Sequence, residues 1–210
     1  LVDAGANHDC RPEMLLQFAL MGSAYMEKVQ GIPKPRVGLV NIGTEENKGT
    51  QLQLDVLPLL KEAPIHFTGN VEARGLPLGE VDVAVTDGFT GNIILKTTEG
   101  MGKFFSNELK SMVKSFPGVL GGLLLAGKFG ALKKKSDSNE AGGAPLLGLR
   151  KPVIKAHGSS NAKAFKNAIR QAMTCHQNNM VGLIEEYMES YRAAEAVAKA
   201  EAAAGEEEAQ

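Results

Sequence analysis

Apolar runs of strand length alternate along this chain with longer segments whose apolar residues recur at helical spacing. The strand-length runs are Leu1–Ala4, Arg36–Ile42, Ile65–Gly69, Val81–Thr86 and Val153–His157. Two of them, VGLVNI and VDVAV, are almost continuously apolar, as parallel strands covered on both faces must be. Helices are predicted over Pro12–Val29, Gln51–Ala63, Gly91–Val113 and Asn161–Tyr191. In the last, Ala164, Phe165, Ala168, Ile169 and Ala172 fall on one face. This alternation predicts an α/β fold built on a parallel sheet.

Two segments break the rhythm. Residues 115–136 read SFPGVLGGLLLAGKFGALKKKS, an apolar body with a lysine flank. Its uncharged part is shorter than the ~20 residues a membrane span needs. The pattern predicts an apolar helical hairpin, with three uses open: contact with a membrane surface, a dimer contact, or a surface loop. The second oddity is residues 192–210, an Ala/Glu-rich stretch expected to be a helix fraying into disorder. Residues 1–191 then form one α/β domain. Leu1 opens inside a strand-like run with no Met before it, which predicts that roughly a third or more of a longer protein lies upstream.

Composition narrows the function. The 210 residues are 43% hydrophobic and 22% charged, enough to bury a core. A formal charge of −1 provides no global field for nucleic acid. Cys10 and Cys175 stand far apart without a CxxC, and His8, His66, His157 and His176 are scattered. Neither a disulfide scaffold nor a metal site is expected, and a reducing compartment is.

The chemistry concentrates where predicted strands run into helices. In VDVAVTDGFTGNIILKTTEG, a strand ends in Asp87-Gly88 and a helix opens through Gly91-Asn92. Strand ends of this kind bind ligands in parallel sheets, and a helix N-terminus suits an anion. Asp87 caps that helix, orients a lysine or acts as a base; the sequence leaves all three open. In VIKAHGSSNAKAFKNAIR, His157 ends a strand and Ser159, Ser160 and Asn161 open a helix, another arrangement suited to phosphate. Lys163 in its first turn opposes the helix dipole unless an anion lies nearby. His157 reads either as a structural strand-end residue or as a catalytic one. A third turn, VNIGTEENKG, offers Asn41, Thr44 and Glu45 to a ligand, and a fourth follows Asp3 in LVDAGAN. No GxGxxG or GxSxG is present, and the glycine-bounded stretch ending in Lys128 lacks the Ser or Thr of a phosphate loop. The turns after Val81–Thr86 and Val153–His157 are expected to face a common phosphate-binding pocket.

LVDAGAN, VGLVNIGTEENKG, FTGNVEARGLP, DVAVTDGFTGNIILKTTEG, GGAPLLGL and VIKAHGSSNAKAFKNAIRQA, in that order, closely resemble the bacterial phosphate acyltransferases of phospholipid synthesis. The likeness runs from Leu1 to about Glu189 and covers the C-terminal two-thirds of that family's pattern. The resemblance implies a Rossmann-like three-layer sandwich related to phosphotransacetylases and to isocitrate and isopropylmalate dehydrogenases, with the apolar hairpin inserted. It implies conversion of acyl-acyl carrier protein and inorganic phosphate into acyl phosphate, without a cofactor or metal. Gly88, Gly91, Lys96, Ser159, Ser160 and Asn161 would then bind phosphate, and Asn41, Thr44 and Glu45 would form a substrate loop. Asp87 or His157 would manage the proton and Asn92 would donate to the oxyanion. The family further implies a homodimer in the cytoplasm, peripheral at the inner face of an anionic membrane. The rival readings are a phosphotransacetylase-type enzyme using acyl-coenzyme A, and an inactive fragment acting as a binding module.

Overall fold

A computed structural model describes residues 1–114, 118–135, 140, 142–158 and 160–208. It is a mixed α/β structure of two compact units. The first comprises Leu1–Gly91, Leu147–Pro152 and Thr174–Gln210; the second, Asn92–Leu146 and Val153–Met173.

The first unit is built on a parallel sheet. Strands β1 (Val37–Asn41), β2 (Phe67–Glu72) and β3 (Val83–Val85) lie in the order β2-β1-β3. Val2 extends the sheet beyond β3: its amide donates to the Ala84 carbonyl at 2.9 Å and its carbonyl accepts from Thr86 at 2.8 Å. Of the expected strand Leu1–Ala4, only this bridge forms. The continuous apolar runs of β1 and β3 are buried as parallel packing requires.

Helix α1 (Pro12–Lys28) leads from the Val2 bridge towards β1, and α2 (Gln51–Glu62) joins β1 to β2. Pro12 opens α1 where its missing N–H costs nothing. The α1 face Leu15, Leu16, Ala19 and Leu20 enters the core with Val56 and Leu60 of α2. A side chain at Gly22 would strike Val83, so α1 lies directly against β3 because that residue is glycine. A 3-10 helix over Ala73–Leu78 follows β2 and ends at Gly79, whose φ of 75° suits a glycine terminator.

The long helix expected over Asn161–Tyr191 is two helices, α5 (Ala162–Gln177) and α6 (Met180–Glu208). Asn179 interrupts them at φ 51°, a left-handed conformation that asparagine adopts more readily than most residues. Met180, Leu183 and Ile184 of α6 join the core of the first unit. The Asn178 side-chain amide donates to the Lys28 carbonyl at 2.6 Å. The stretch expected to fray is the continuation of α6, helical through Glu208.

In the second unit, α3 (Gly88–Met112) continues from Asn92 onward, followed by α4 (Gly118–Lys135). Where a helical hairpin is expected over residues 115–136, the described residues form the single helix α4, and residues 115–117 and 136 fall outside the described residues. Strands β4 (Ala144–Leu146) and β5 (Val153–Lys155) pair antiparallel, Pro145 opposite Ile154. The run Val153–His157 therefore forms part of a two-stranded ribbon and not of the parallel sheet. Its composition agrees: Val-Ile-Lys-Ala-His alternates toward polar residues and lacks the continuous apolar run of β1. Gly142, at φ 84°, lies against the α5 backbone at Asn167 and Ala168, where no side chain fits. Among the described residues no helix is long and apolar enough to cross a membrane.

Candidate functional site

Parallel pairing brings the C-terminal ends of all the first unit's strands to one sheet edge, the edge at which α/β folds bind ligands. Four turns collect there: those after Val2, Asn41, Glu72 and Thr86.

Asp3 organises the first turn. Its Oδ1 accepts the amides of Gly5 and Ala6, both at 2.9 Å. Its Oδ2 accepts the Asn7 backbone amide at 2.7 Å and the Asn7 side-chain amide at 2.8 Å. Burial alone would raise the Asp3 pKa, but these donors outweigh it and hold the carboxyl below its usual range. The turn so formed aims the Asn7 carbonyl at the Gly88 amide, 2.7 Å away. Gly88 and Gly91 sit flush on it: a side chain at Gly88 would meet the Asn7 backbone, and one at Gly91 the Asp3 carbonyl.

Asp87 caps α3. Its Oδ1 accepts the Thr90 amide at 2.8 Å and its backbone carbonyl accepts from Gly91 at 2.9 Å. Of the three uses open for Asp87, the geometry displays the cap. The amides of Gly88, Thr90 and Gly91 are thereby committed within the chain. Cys10 stands at the same place, its thiol donating to the Asn7 carbonyl at 3.4 Å. Burial raises its pKa, the Gly88 amide works against this, and the carboxylates of Asp87, Asp3 and Asp9 raise it further. These surroundings favour the thiol over the nucleophilic thiolate.

The turn after β1 is held at several points. The Asn41 side-chain amide donates to the Lys48 carbonyl at 3.0 Å, and its oxygen accepts from Ile42 at 2.8 Å. Glu45 offers its carbonyl to the Lys48 amide at 3.2 Å and to Asn70 Nδ2 at 2.8 Å. Thr44 and the Glu45 side chain remain exposed. Gln53 reaches back to the Thr50 amide at 3.0 Å, setting where α2 begins.

The second unit holds the other expected residues. Asn161 caps α5, its Oδ1 accepting the Ala164 amide at 3.0 Å, and the Ser160 amide donates to the His157 carbonyl at 2.9 Å. Lys163 has its anion within the protein: Nζ lies 2.7 Å from Glu140 Oε1. Asn92 and Lys96 lie four residues apart on one face of α3, and Lys96 pairs with Glu99 at 3.0 Å. Glu99 is held below the usual carboxylate range, first by that hydrogen bond and then by the charges of Lys96, Lys103 and His157. The unit therefore brings exposed His157 within electrostatic reach of the Lys96–Glu99 pair. Ser159 lies outside the described residues.

The structure thus groups Asn41, Thr44, Glu45, Asp87, Gly88 and Gly91 in the first unit, and Asn92, Lys96, His157, Ser160 and Asn161 in the second. It adds Asp3, Asn7, Cys10 and Asn70, which were not among the expected site residues. The aspartate of DAGAN, followed by glycine and asparagine, is the signal that finds the first two. A cleft of about 840 Å³, lined by Pro35, Pro64, His66 and Tyr187 among others, opens at the opposite edge, where β1 and β2 begin.

The family described as fatty acid synthesis protein matches residues 1–182. A phosphate acyltransferase of Clostridium botulinum is 52% identical over 186 residues, covering 88% of this chain and 56% of that protein. One from Clostridium tetani is 49% identical over 187 residues (89% and 56%), and one from Geobacillus sp. 50% over 189 residues (90% and 57%). The chain spans little more than half the length of these relatives.

Proposed function

This chain belongs to the fatty acid synthesis protein family, and from that premise we propose that its protein transfers an acyl group from acyl-acyl carrier protein to inorganic phosphate. The observation that carries the reading is the half-identity to proteins named phosphate acyltransferase across nearly all of this chain.

In this reading a phosphate oxygen attacks the thioester carbonyl carbon. The tetrahedral intermediate collapses with loss of the carbon–sulfur bond, leaving acyl phosphate and the carrier thiolate. Ser160 and Asn161 at the start of α5, with Lys96 and with Ser159, the residue before them in sequence, hold the phosphate. His157 takes the proton released by the phosphate and returns it to the thiolate. Asn92 donates to the oxyanion. Asp87 keeps its capping role, so the base is His157. In the same reading Asn41, Thr44 and Glu45 of the first unit are the substrate loop. Surroundings that disfavour the Cys10 thiolate support direct attack by phosphate over an acyl-enzyme.

The same reading includes a Rossmann-like three-layer fold of the phosphotransacetylase type, a homodimer, and peripheral contact with the cytoplasmic membrane face. Leu123, Leu124 and Leu125 of α4 support the surface contacts, with Leu124 81% exposed. Pelleting with anionic liposomes tests the membrane version: changing these three leucines to serine should abolish binding, and full retention rejects it.

The test of the chemistry is acyl phosphate formation from palmitoyl-acyl carrier protein and phosphate, compared with acetyl-coenzyme A. Asn161→Ala should raise the phosphate KM at least about tenfold, and His157→Ala should lower kcat by about 100-fold. Turnover confined to acetyl-coenzyme A, or unchanged constants in both variants, rejects the assignment.

A further inference from the structure

We propose that Asn70 is a positioning residue, setting the substrate loop through the Glu45 carbonyl without touching substrate itself. The inference rests on the reading that Asn41, Thr44 and Glu45 meet the acyl substrate.

Asn70 lies on β2 opposite Leu39 of β1, two residues before β1 ends at Asn41. From there its Nδ2 crosses to the loop that follows β1 and donates to the Glu45 carbonyl at 2.8 Å. That carbonyl also accepts the Lys48 amide, closing the turn that carries Glu46 and Asn47. Asn41 ties the other end of the loop to Lys48. Two asparagine amides from adjacent strands therefore fix the backbone between residues 41 and 48. The further tie, the exposed Glu46–Lys61 ion pair, is of a kind that contributes little.

The Oδ1 of Asn70 is buried and has no hydrogen-bond partner. A buried acceptor left unpaired is costly, and turning the amide over would set oxygen against the Glu45 carbonyl. A leucine of similar shape would remove the orphaned oxygen. What the asparagine supplies at this position, and a leucine would not, is the donor to Glu45.

The experiment is Asn70→Leu, with Asn70→Ser as a smaller second variant. The expected result is an unchanged or higher Tm and faster hydrogen exchange at residues 43–47. KM for palmitoyl-acyl carrier protein should rise about fivefold, the equivalent of one ordinary hydrogen bond, with kcat and the phosphate KM unchanged. A merely structural role would lower Tm and leave KM alone. Thr44→Ala and Glu45→Ala separate the two levels. If they raise the acyl-substrate KM and the Asn70 variants do not, the positioning role is wrong and the loop assignment stands. If they too leave KM unchanged, the loop assignment fails and this inference with it.

Discussion

The Gly88 amide at the start of α3 donates to the Asn7 carbonyl at 2.7 Å, and that carbonyl is aimed by the Asp3 carboxylate four residues earlier in the chain. The first turn of a helix is thus seated on a loop some eighty positions away in sequence, and an anionic side chain organises the seat.

Replacing Asp3 by Asn should cost about 2 kcal/mol at neutral pH, because one amide cannot accept what two carboxylate oxygens accept. The folded pKa of Asp3 lies below its unfolded value, so its stabilisation is present at neutral pH and is lost as pH falls through the folded pKa. Urea unfolding at several pH values checks both points. The acid limb should be shallower in Asp3→Asn, with Asp82, lowered mainly by its hydrogen bonds from Arg36, accounting for part of what remains. An unaltered acid limb would mean the turn does not depend on the carboxylate.

Gly91→Ala should destabilise by roughly 1–3 kcal/mol or more, since the added methyl collides with the Asp3 carbonyl, which is backbone and cannot swing aside. Gly100→Ala is the control, on the same helix with open space around it, and should be neutral or slightly stabilising. The denaturation midpoint should fall in Gly91→Ala and hold or rise in Gly100→Ala.

On the proposed direct attack by phosphate, Cys10→Ser should retain acyl phosphate formation within about twofold, because burial and neighbouring carboxylates raise the thiol's pKa and disfavour the thiolate. A loss of a hundredfold or more, or an acyl group found on Cys10 by mass spectrometry, would require a covalent intermediate.

Tyr187 gives an alkaline signature. Burial, then the hydrogen bond to Glu27 at 3.0 Å, push its pKa up to about 12 from the ordinary 10.0. The folded state keeps a proton that the unfolded state releases, so this stabilisation is complete below about pH 10 and is lost as pH rises toward 12. Absorbance titration should show one tyrosine ionising late, and Tyr187→Phe should remove both that step and the associated loss of stability.

The central strands are legible in the sequence because a strand buried on both faces must be apolar throughout, and VGLVNI and VDVAV are. The pairing of β5 is not, since its partner is three residues long and contains Pro145. Nor is the break at Asn179, because the apolar spacing of a helix continues across it and only the tertiary fold selects the left-handed residue. At the candidate site, the capping roles of Asp87 and Asn161 follow from polar residues at helix starts. Lys163 suggests an absent anion, but the anion is Glu140, distant in sequence. Asn70 escapes sequence reading altogether, because its role exists only once the register of β2 on β1 carries it to Glu45.

The bond from Asn178 to the Lys28 carbonyl has a consequence for biosynthesis. The closing turn of α1 is completed by a residue translated 150 codons later, which at ordinary ribosomal speeds means a wait of roughly ten to thirty seconds. Over that interval the end of the nascent helix lacks this bond, and the flank that Met180, Leu183 and Ile184 will cover stays open until α6 emerges.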